Sequence, residues 1–196
     1  EEAGLPITGA NLARAMQLSP PTVHEMIGRL EGDGYVDRAD DKSLAFTDKG
    51  RAEAEAITRR HRLIERFLTD VLGIPWDEVH EEAERLAHCI SEDFERRIAA
   101  AMGHPTRDPH GELIPTADLK MPLDDSLPLS ALRPNQIATI KRVKVSDAEM
   151  LRYLEGLDLV PGAQIEIKEY SPFDHNLTIK VGRRSSVLGL SITSKI

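Results

Sequence analysis

Residues 61–88 read HRLIERFLTDVLGIPWDEVHEEAERLAH and predict two amphipathic helices, joined at a Gly-Ile-Pro break at residues 73–75. His61 and Glu65 stand four residues apart on the first helix. The second helix repeats that four-residue step at His80, Glu84 and His88. Four residues advance a helix by about one turn plus 40°, so these side chains share a face. A face with imidazole and carboxylate groups offers the ligands that divalent Mn, Fe, Co, Ni or Zn accepts.

Two other interpretations of this polar stripe have to be weighed. A His–Glu pair at this spacing often forms only a solvated salt bridge, so a metal-independent protein stays open as an alternative. A zinc-protease helix requires His-Glu-x-x-His, but Glu84 stands where the second histidine would follow His80 and Glu81. The sequence also offers no nucleophile–base pair. We therefore predict that this protein is not an enzyme.

Composition and charge set the broad class. The chain has 196 residues and a net charge of -8, whereas nucleic-acid binders normally show a basic face. A DNA-binding role therefore requires clustered cations, or a bound metal that neutralises carboxylates. The sequence shows no signal peptide and no apolar run as long as a membrane span, and its single cysteine suits a reducing cytoplasm. We expect a cytoplasmic protein in which Cys89 is a small buried hydrophobe, with a thiol ligand as the alternative.

Residues 5–35 predict a helix-turn-helix. Ser19 is placed to cap the second helix, with Pro20 and Pro21 in its first turn, where a missing N–H has no cost. Asp33-Gly34 is expected to end that helix. The predicted inward-facing side chains are Leu12, Ala13, Met16, Val23, Met26, Ile27 and Leu30.

Two short strands around a polar turn follow at residues 35–46. A helix-turn-helix followed by a hairpin is a winged helix, whose second helix enters the major groove while the wing reaches phosphates. A helical pair with a hairpin for protein contacts is the alternative. The residues that we expect at the DNA are Ser19, Pro21, Thr22, Glu25, Arg29 and Lys42.

The middle of the chain predicts a helical dimerisation domain and then a linker. Residues 47–50, beginning with Thr47, are expected to cap a helix that runs from about Arg51 to about residue 72, and Ser91 is placed to cap a helix over residues 92–102. These helices carry more apolar side chains than one small bundle can bury, which favours a homodimer. Proline recurs between residues 104 and 135, which predicts an extended tether.

From residue 131 onward the hydrophobic period is two, with one helix expected over residues 146–157. About five short strands with a single helix predict an SH3-like β-barrel. The fold class is therefore mainly α with a small β part. The predicted domains are a winged helix over 1–50 that lacks its first helix, a metal-binding and dimerisation domain over 51–104, a Pro-rich linker over 105–130 and the SH3-like domain over 131–196.

The whole chain resembles the family of metalloregulators typified by the diphtheria toxin repressor and the manganese transport regulators. Six segments carry the resemblance, in the family's order: SPPTVHEMIGRLEGDGYV from residue 19, TDKG from 47, RHRLIERFLTDVLG from 60, VHEEAERLAHCIS from 79, DPHGELIP from 108 and YLEGLDLVPGAQIEI from 153. The resemblance implies a homodimeric, metal-activated transcriptional repressor of metal homeostasis genes. Its partner is double-stranded operator DNA, and no membrane is involved.

The resemblance also implies two metal sites. The ancillary site would use His61, Glu65 and His80, with Asp147 and Glu149 as further candidates from the SH3-like domain. The primary, activating site would use Glu84 and His88. Glu84 stands where iron-responsive members carry Cys and manganese-responsive members carry Glu, and a hard carboxylate favours Mn(II) over softer-ligand metals. We therefore expect Mn(II), or else Fe(II), as the cofactor.

Two departures from the family's pattern affect the primary site. The family carries a glutamate immediately before the final histidine, where this chain has Ala87. It also takes a ligand from the first helix, which we expect to precede Glu1 because the sequence does not begin with Met. The primary site is therefore expected to be incomplete and the ancillary site to be the better formed. A metal-independent winged-helix regulator stays open as the alternative function.

Overall fold

The structure is a computed structural model that describes residues 7–196. The chain divides into two compact units, Glu1–Ala56 and Ile57–Ile196, which are treated separately. Among the helices of residues 7–196, none is both long and apolar enough to cross a membrane.

The first unit contains the predicted helix-turn-helix and hairpin. Helix α1 (Gly9–Met16) and helix α2 (Pro20–Gly32) begin at capping hydroxyls, since Thr8 Oγ1 and Ser19 Oγ each accept a hydrogen bond from a backbone N–H of the first turn. Gln17 ends α1 in the left-handed conformation, with φ of 54°. Strands β1 (Val36–Arg38) and β2 (Leu44–Phe46) then pair antiparallel. This order of elements confirms the winged-helix prediction.

The core of this unit is narrower than the sequence pattern predicted. Its buried side chains are Ala13, Val23, Ile27 and Leu44. Met16, Met26 and Leu30, which were expected to face inward, are exposed in this unit. Helical periodicity identifies the apolar face, but the width of the face that becomes covered depends on how closely the neighbouring helix packs.

Helix α3 (Asp48–Asp70) begins at Thr47, whose Oγ1 accepts a hydrogen bond from Gly50 N at 3.0 Å. Gly50 faces the end of the wing: a Cβ there would lie 1.8 Å from the Tyr35 carbonyl oxygen. Only glycine therefore allows this close approach of the helix start to the hairpin.

In the second unit, α3 packs against helix α4 (Val79–Ala87), and helix α5 (Glu92–Ala101) begins at Ser91 as predicted. One apolar cluster joins Ile64 and Leu68 of α3 to Val79, Ala83 and Ala87 of α4. A second joins Leu63 to Ile98, Ala99 and Ile114. Small residues on α4 allow the helices to approach closely, which places the polar face of α4 beside that of α3.

The Pro-rich stretch is not merely the extended tether that was predicted. Asp108 and Glu112 form a turn in which Asp108 N donates to Glu112 O at 2.9 Å, and His110 O accepts from Val143 N at 2.8 Å. Gly111, with φ of 87°, fits against the Lys141 carbonyl oxygen, where a Cβ would lie only 1.9 Å away. The linker folds back because its backbone groups and Ile114 find partners on both neighbouring domains.

The C-terminal region is an open antiparallel sheet rather than the closed barrel that was predicted. Its strand order is β3 (Ile137–Thr139), β4 (Gln164–Tyr170), β5 (Leu177–Val181) and β6 (Arg184–Leu188). A short 3-10 helix (Leu129–Ala131) precedes the sheet, helix α6 (Ala148–Gly156) lies between β3 and β4 in the chain, and helix α7 (Leu190–Thr193) follows β6. Although the period of two continues past it, β3 ends at Thr139, because Val143 and Lys144 donate to the His110 and Lys195 carbonyl oxygens instead of to a neighbouring strand.

Candidate metal centre

The polar faces of α3 and α4 meet at Glu65. His61 Nε2 and His80 Nδ1 each lie 3.0 Å from Glu65 Oε1, and the two ring nitrogens lie 3.2 Å apart. Glu65 is only 2% exposed. The Gly-Ile-Pro break at residues 73–75 lets α4 return alongside α3, so the tertiary fold brings together three residues that the helical spacing had singled out.

A second group of ligating side chains shares the same glutamate. Glu65, Asp108 and His110 are 2%, 3% and 6% exposed, and one ligating atom from each lies within 4.8 Å of the others. His110 Nδ1 lies 3.8 Å from Glu65 Oε2. Glu65 therefore offers one oxygen to each group, which makes it the junction of a five-residue centre.

Asp108 and His110 were missed as candidate ligands by the sequence analysis. They lie in DPHG, a turn within the stretch that was interpreted as a tether and to which no ligand was assigned. The available signal was the presence of an aspartate and a histidine two residues apart beside a glycine. No local periodicity relates this turn to Glu65, because their proximity depends on the linker folding back onto α3.

Hydrogen bonding orients the ring of His110. Its Nε2 lies 2.7 Å from the Trp76 carbonyl oxygen, and its ring stacks on the Trp76 indole with centroids 5.5 Å apart. Because a carbonyl oxygen only accepts hydrogen bonds, Nε2 carries a proton. Nδ1, on the side of Glu65, is then the nitrogen that can ligate a metal.

In this centre, burial and the neighbouring histidines have opposite effects on the pKa of Glu65. Burial alone would raise the pKa of Glu65, but hydrogen bonds from His110, His61 and His80 hold it well below its usual range. The hydrogen bond to Glu65 raises the pKa of His80. Burial lowers that of His110, but its interactions with Glu65 outweigh this and raise it.

Asp108 behaves in the opposite way to Glu65. Burial, with the neighbouring Glu65 carboxylate, raises the pKa of Asp108 to about 7. Two buried carboxylates this close together repel, and a divalent cation between them would remove that repulsion. Two carboxylates and three imidazoles also form a donor set that Mn(II) and Fe(II) accept. The residues present therefore fit a divalent metal.

Glu84 and His88 lie beside this centre as a pair. Glu84 Oε2 is 3.0 Å from His61 Nδ1, and Glu84 Oε1 is 3.6 Å from His88 Nε2. Their side chains are 58% and 57% exposed, and within residues 7–196 neither belongs to a group of three convergent ligands. Ala87 is fully buried in the contact of α4 with α3, so position 87 supplies packing rather than a donor.

The other candidate ligands lie elsewhere. Asp147 is the N-cap of α6, where it accepts from Met150 N at 2.8 Å. Asp147 and Glu149 are exposed, and neither joins a ligating cluster in the described part of the chain. Cys89 is exposed and its thiol donates to the Arg85 carbonyl oxygen, so the prediction of a buried Cys89 was wrong.

The residues expected at the DNA are all on the surface of the first unit. Ser19 is exposed as the N-cap of α2, and the other residues on this helix are exposed along it, namely Pro21, Thr22, Glu25 and Arg29. The Arg29 guanidinium donates to the Glu25 carboxylate, so the two would approach DNA as a pair. In the turn of the wing, Lys42 is exposed with φ of 65°.

Comparison with known families covers most of the chain. Residues 1–44 match the iron dependent repressor N-terminal DNA binding domain, residues 47–116 match the iron dependent repressor metal binding and dimerisation domain, and residues 127–196 match the FeoA domain. The iron-dependent repressor IdeR of Mycobacterium leprae (strain TN) is 34% identical over 200 residues, which cover 96% of this chain and 86% of that protein. The diphtheria toxin repressor of Corynebacterium efficiens is 35% identical over 177 residues, which cover 85% and 77%.

Solved structures of regulators have the same fold. A manganese-dependent transcriptional repressor in complex with manganese superimposes with a TM-score of 0.89 at 34% identity, covering 98% of this chain and 90% of that one. ScaR with bound Cd²⁺ superimposes with a TM-score of 0.85 at 31% identity, covering 99% and 91%.

Proposed function

This chain belongs to the family of iron-dependent repressors, and on that premise we propose that it is a Mn(II)- or Fe(II)-activated transcriptional repressor of metal homeostasis genes. It acts by binding operator DNA as a homodimer and is not an enzyme. The observation that carries the proposal is Glu65, a buried carboxylate shared by two groups of convergent ligands.

The ligand chemistry favours a hard or borderline cation. We assign the metal centre to His61, Glu65, His80, Asp108 and His110, with Glu84 and His88 as a weaker, more exposed pair. None of these is a thiolate, which disfavours Cu(I) and other soft ions. When bound, a divalent cation supplies the positive charge that joins the carboxylates of α3 and of the linker turn.

Activation follows from what these residues hold together. His61 and Glu65 belong to α3, His80 to α4, and Asp108 and His110 to the linker turn, so ligation restrains all three segments at once. If the restrained arrangement is the one that binds DNA, ligation shifts the population of the homodimer towards it. Repression needs access to the chromosome, so we place the protein in the cytoplasm.

Metal-dependent DNA binding is the direct test of this function. We expect selection from a random duplex library to recover a preferred sequence with Mn(II), and affinity for it to fall by about 5- to 150-fold in a chelator, the usual range of coupling between two sites. Fluorescence anisotropy with the recovered duplex measures this. Equal affinity with and without metal would instead favour a metal-independent winged-helix regulator.

Salt dependence tests the proposed phosphate contact of the wing. Lys42→Ala should weaken binding to all duplexes about equally and reduce the slope of log K against log salt by about 1, because one phosphate contact is lost. Lys168→Ala is the matched control, since Lys168 is an exposed lysine on β4 that pairs with Glu166. A change in base preference on losing Lys42 would show that it reads bases.

Dimerisation is proposed through the helices of the second unit. Val71, Leu72 and Phe94 are large apolar side chains exposed on these helices and their ends. A twofold dimer that covers them would also set two half-sites a helical turn or a multiple apart on the DNA. We expect a dimer by light scattering at micromolar concentration, and a monomer for Phe94→Lys. Leu123→Lys, at a fully exposed linker position, should stay dimeric; a monomeric wild type would contradict the proposal.

A further inference from the structure

His110 connects the metal centre to the C-terminal domain through both its ring and its backbone. Its Nε2 donates to the Trp76 carbonyl oxygen at 2.7 Å, and its own carbonyl oxygen accepts from Val143 N at 2.8 Å. Nδ1 is left on the side of Glu65. The position of His110 Nδ1 therefore depends on the hydrogen bonds by which Trp76 and Val143 hold the ring and the backbone of His110.

Trp76 is held by the C-terminal domain although it lies between α3 and α4 in the chain. Its side chain belongs to the same buried cluster as Leu151 and Leu154 of α6 and the inner residues of the sheet. The carbonyl that receives the His110 hydrogen bond is thus part of a residue whose indole is anchored in another domain.

The residue after Trp76, Asp77, forms an ion pair with the C-terminal domain. Asp77 Oδ2 accepts from Arg152 Nη1 of α6 at 2.9 Å, and the side chains of Asp77 and Arg152 are 5% and 57% exposed. Removing the cationic partner of a buried carboxylate leaves an unpaired buried charge, which is strongly destabilising. The geometry of the Trp76 carbonyl is consequently restrained on one side by packing and on the other by this pair.

From these contacts we infer that Arg152 and Asp77 are positioning residues for the metal centre: through Trp76 they hold the His110 ring with Nδ1 aimed at Glu65. The C-terminal domain thereby supports metal binding through the position of His110, whereas Asp147 and Glu149 lie outside the ligating clusters found among residues 7–196. The inference rests on the proposed function in one respect, namely that His110 ligates the metal. Hydrogen-bond partners behind a ligating histidine typically change metal affinity by about 10- to 100-fold.

The first test is the Mn(II) affinity of the full-length chain, measured by electron paramagnetic resonance of the free ion. We expect Arg152→Ala and Asp77→Asn each to raise the dissociation constant about tenfold, and the double variant to be no worse than either alone because both break one pair. Arg152→Lys should recover part of the loss. Arg184→Ala is the matched control: Arg184 is an exposed arginine of the same domain that pairs with Asp158, so its loss should leave the affinity unchanged.

The second test observes the His110 ring itself. In the Co(II)-loaded protein the Nε2 proton of a ligating His110 should give a hyperfine-shifted proton resonance that exchanges slowly with solvent, assigned by its loss in His110→Gln. Arg152→Ala should change the hyperfine shift of that resonance as well as speed its exchange, because the ring is displaced relative to the metal, whereas the control Arg184→Ala should change neither. Thermal unfolding in a chelator shows whether the variant remains folded.

The outcomes separate this inference from the proposed function. Wild type that binds neither Mn(II) nor Co(II) would overturn both. Wild type that binds, with Arg152→Ala showing the same dissociation constant and the same exchange rate, would overturn the positioning role alone. Loss of affinity in Arg184→Ala equal to that in Arg152→Ala would also overturn it, because the effect would then not run through Asp77.

Discussion

Replacing Glu65 by glutamine is expected to lower the affinity for Mn(II) by more than about 100-fold, beyond the loss typical of groups that only support a ligand. Glu65 Oε1 contacts His61 and His80, and Glu65 Oε2 faces His110. The substitution therefore removes the negative charge that both groups of ligands share. Glutamine keeps the shape but brings a donor amide into a site built around a carboxylate. Isothermal titration calorimetry with Mn(II) measures the change.

His88→Gln is the contrasting variant for this experiment. Its side chain is exposed and pairs with Glu84, at 3.6 Å, so we expect a much smaller loss of affinity. The same ranking predicts that, at limiting Mn(II), anomalous density appears among His61, Glu65 and His80 before it appears between Glu84 and His88. Density at the second pair alone, or a larger loss in His88→Gln, would contradict the assignment of Glu65 as the junction of the centre.

Raising the pH is expected to strengthen metal binding steeply, by up to about tenfold per pH unit for each proton that the metal displaces. His80 and His110 have pKa values above their ordinary 6.5, and the pKa of Asp108 is raised to about 7. All three must lose a proton to ligate. The pH at which the affinity stops rising should therefore lie above 6.5, higher than for ligands that are unperturbed histidines.

Stability of the metal-free protein should change with pH in the opposite direction. The raised pKa values of His80 and His110 mean that their contribution is complete below pH 6.5 and is lost as the pH rises through their folded values. Asp108 likewise disfavours the folded state as it ionises. Glu65, whose pKa is lowered from 4.5, contributes above that pH and loses its contribution only in stronger acid.

The difference in unfolding temperature with and without Mn(II) combines these effects. Since ligand-free stability falls and affinity rises between about pH 5.5 and 8, the gain in Tm from a fixed Mn(II) concentration should grow with pH over that range. Differential scanning fluorimetry across the range tests this, with Glu65→Gln as the control that should show little gain at any pH. A gain that is constant or that shrinks with pH would mean that these groups do not release protons to the metal.

Local sequence determined several features without help from the tertiary structure. The caps at Ser19, Thr47 and Ser91 and the order of helix, turn, helix and hairpin were readable because each depends on residues within a few positions of one another. The stripe of His61, Glu65 and His80 was readable for a similar reason, since a four-residue step is one turn of helix and a short break lets two helices pack side by side.

Only the tertiary structure decided which further groups join that stripe. Asp108 and His110 reach Glu65 because the linker turn pairs with Val143, in the segment after β3, and Ala87 is buried because α4 packs closely on α3. The sheet stays open because Val143 and Lys144, which lie in a stretch that alternates like a strand, donate their backbone hydrogen bonds to the linker and to the C-terminal segment. Partners distant in sequence satisfy these groups, and no hydrophobic period records which distant partner a backbone N–H or a buried carboxylate will find.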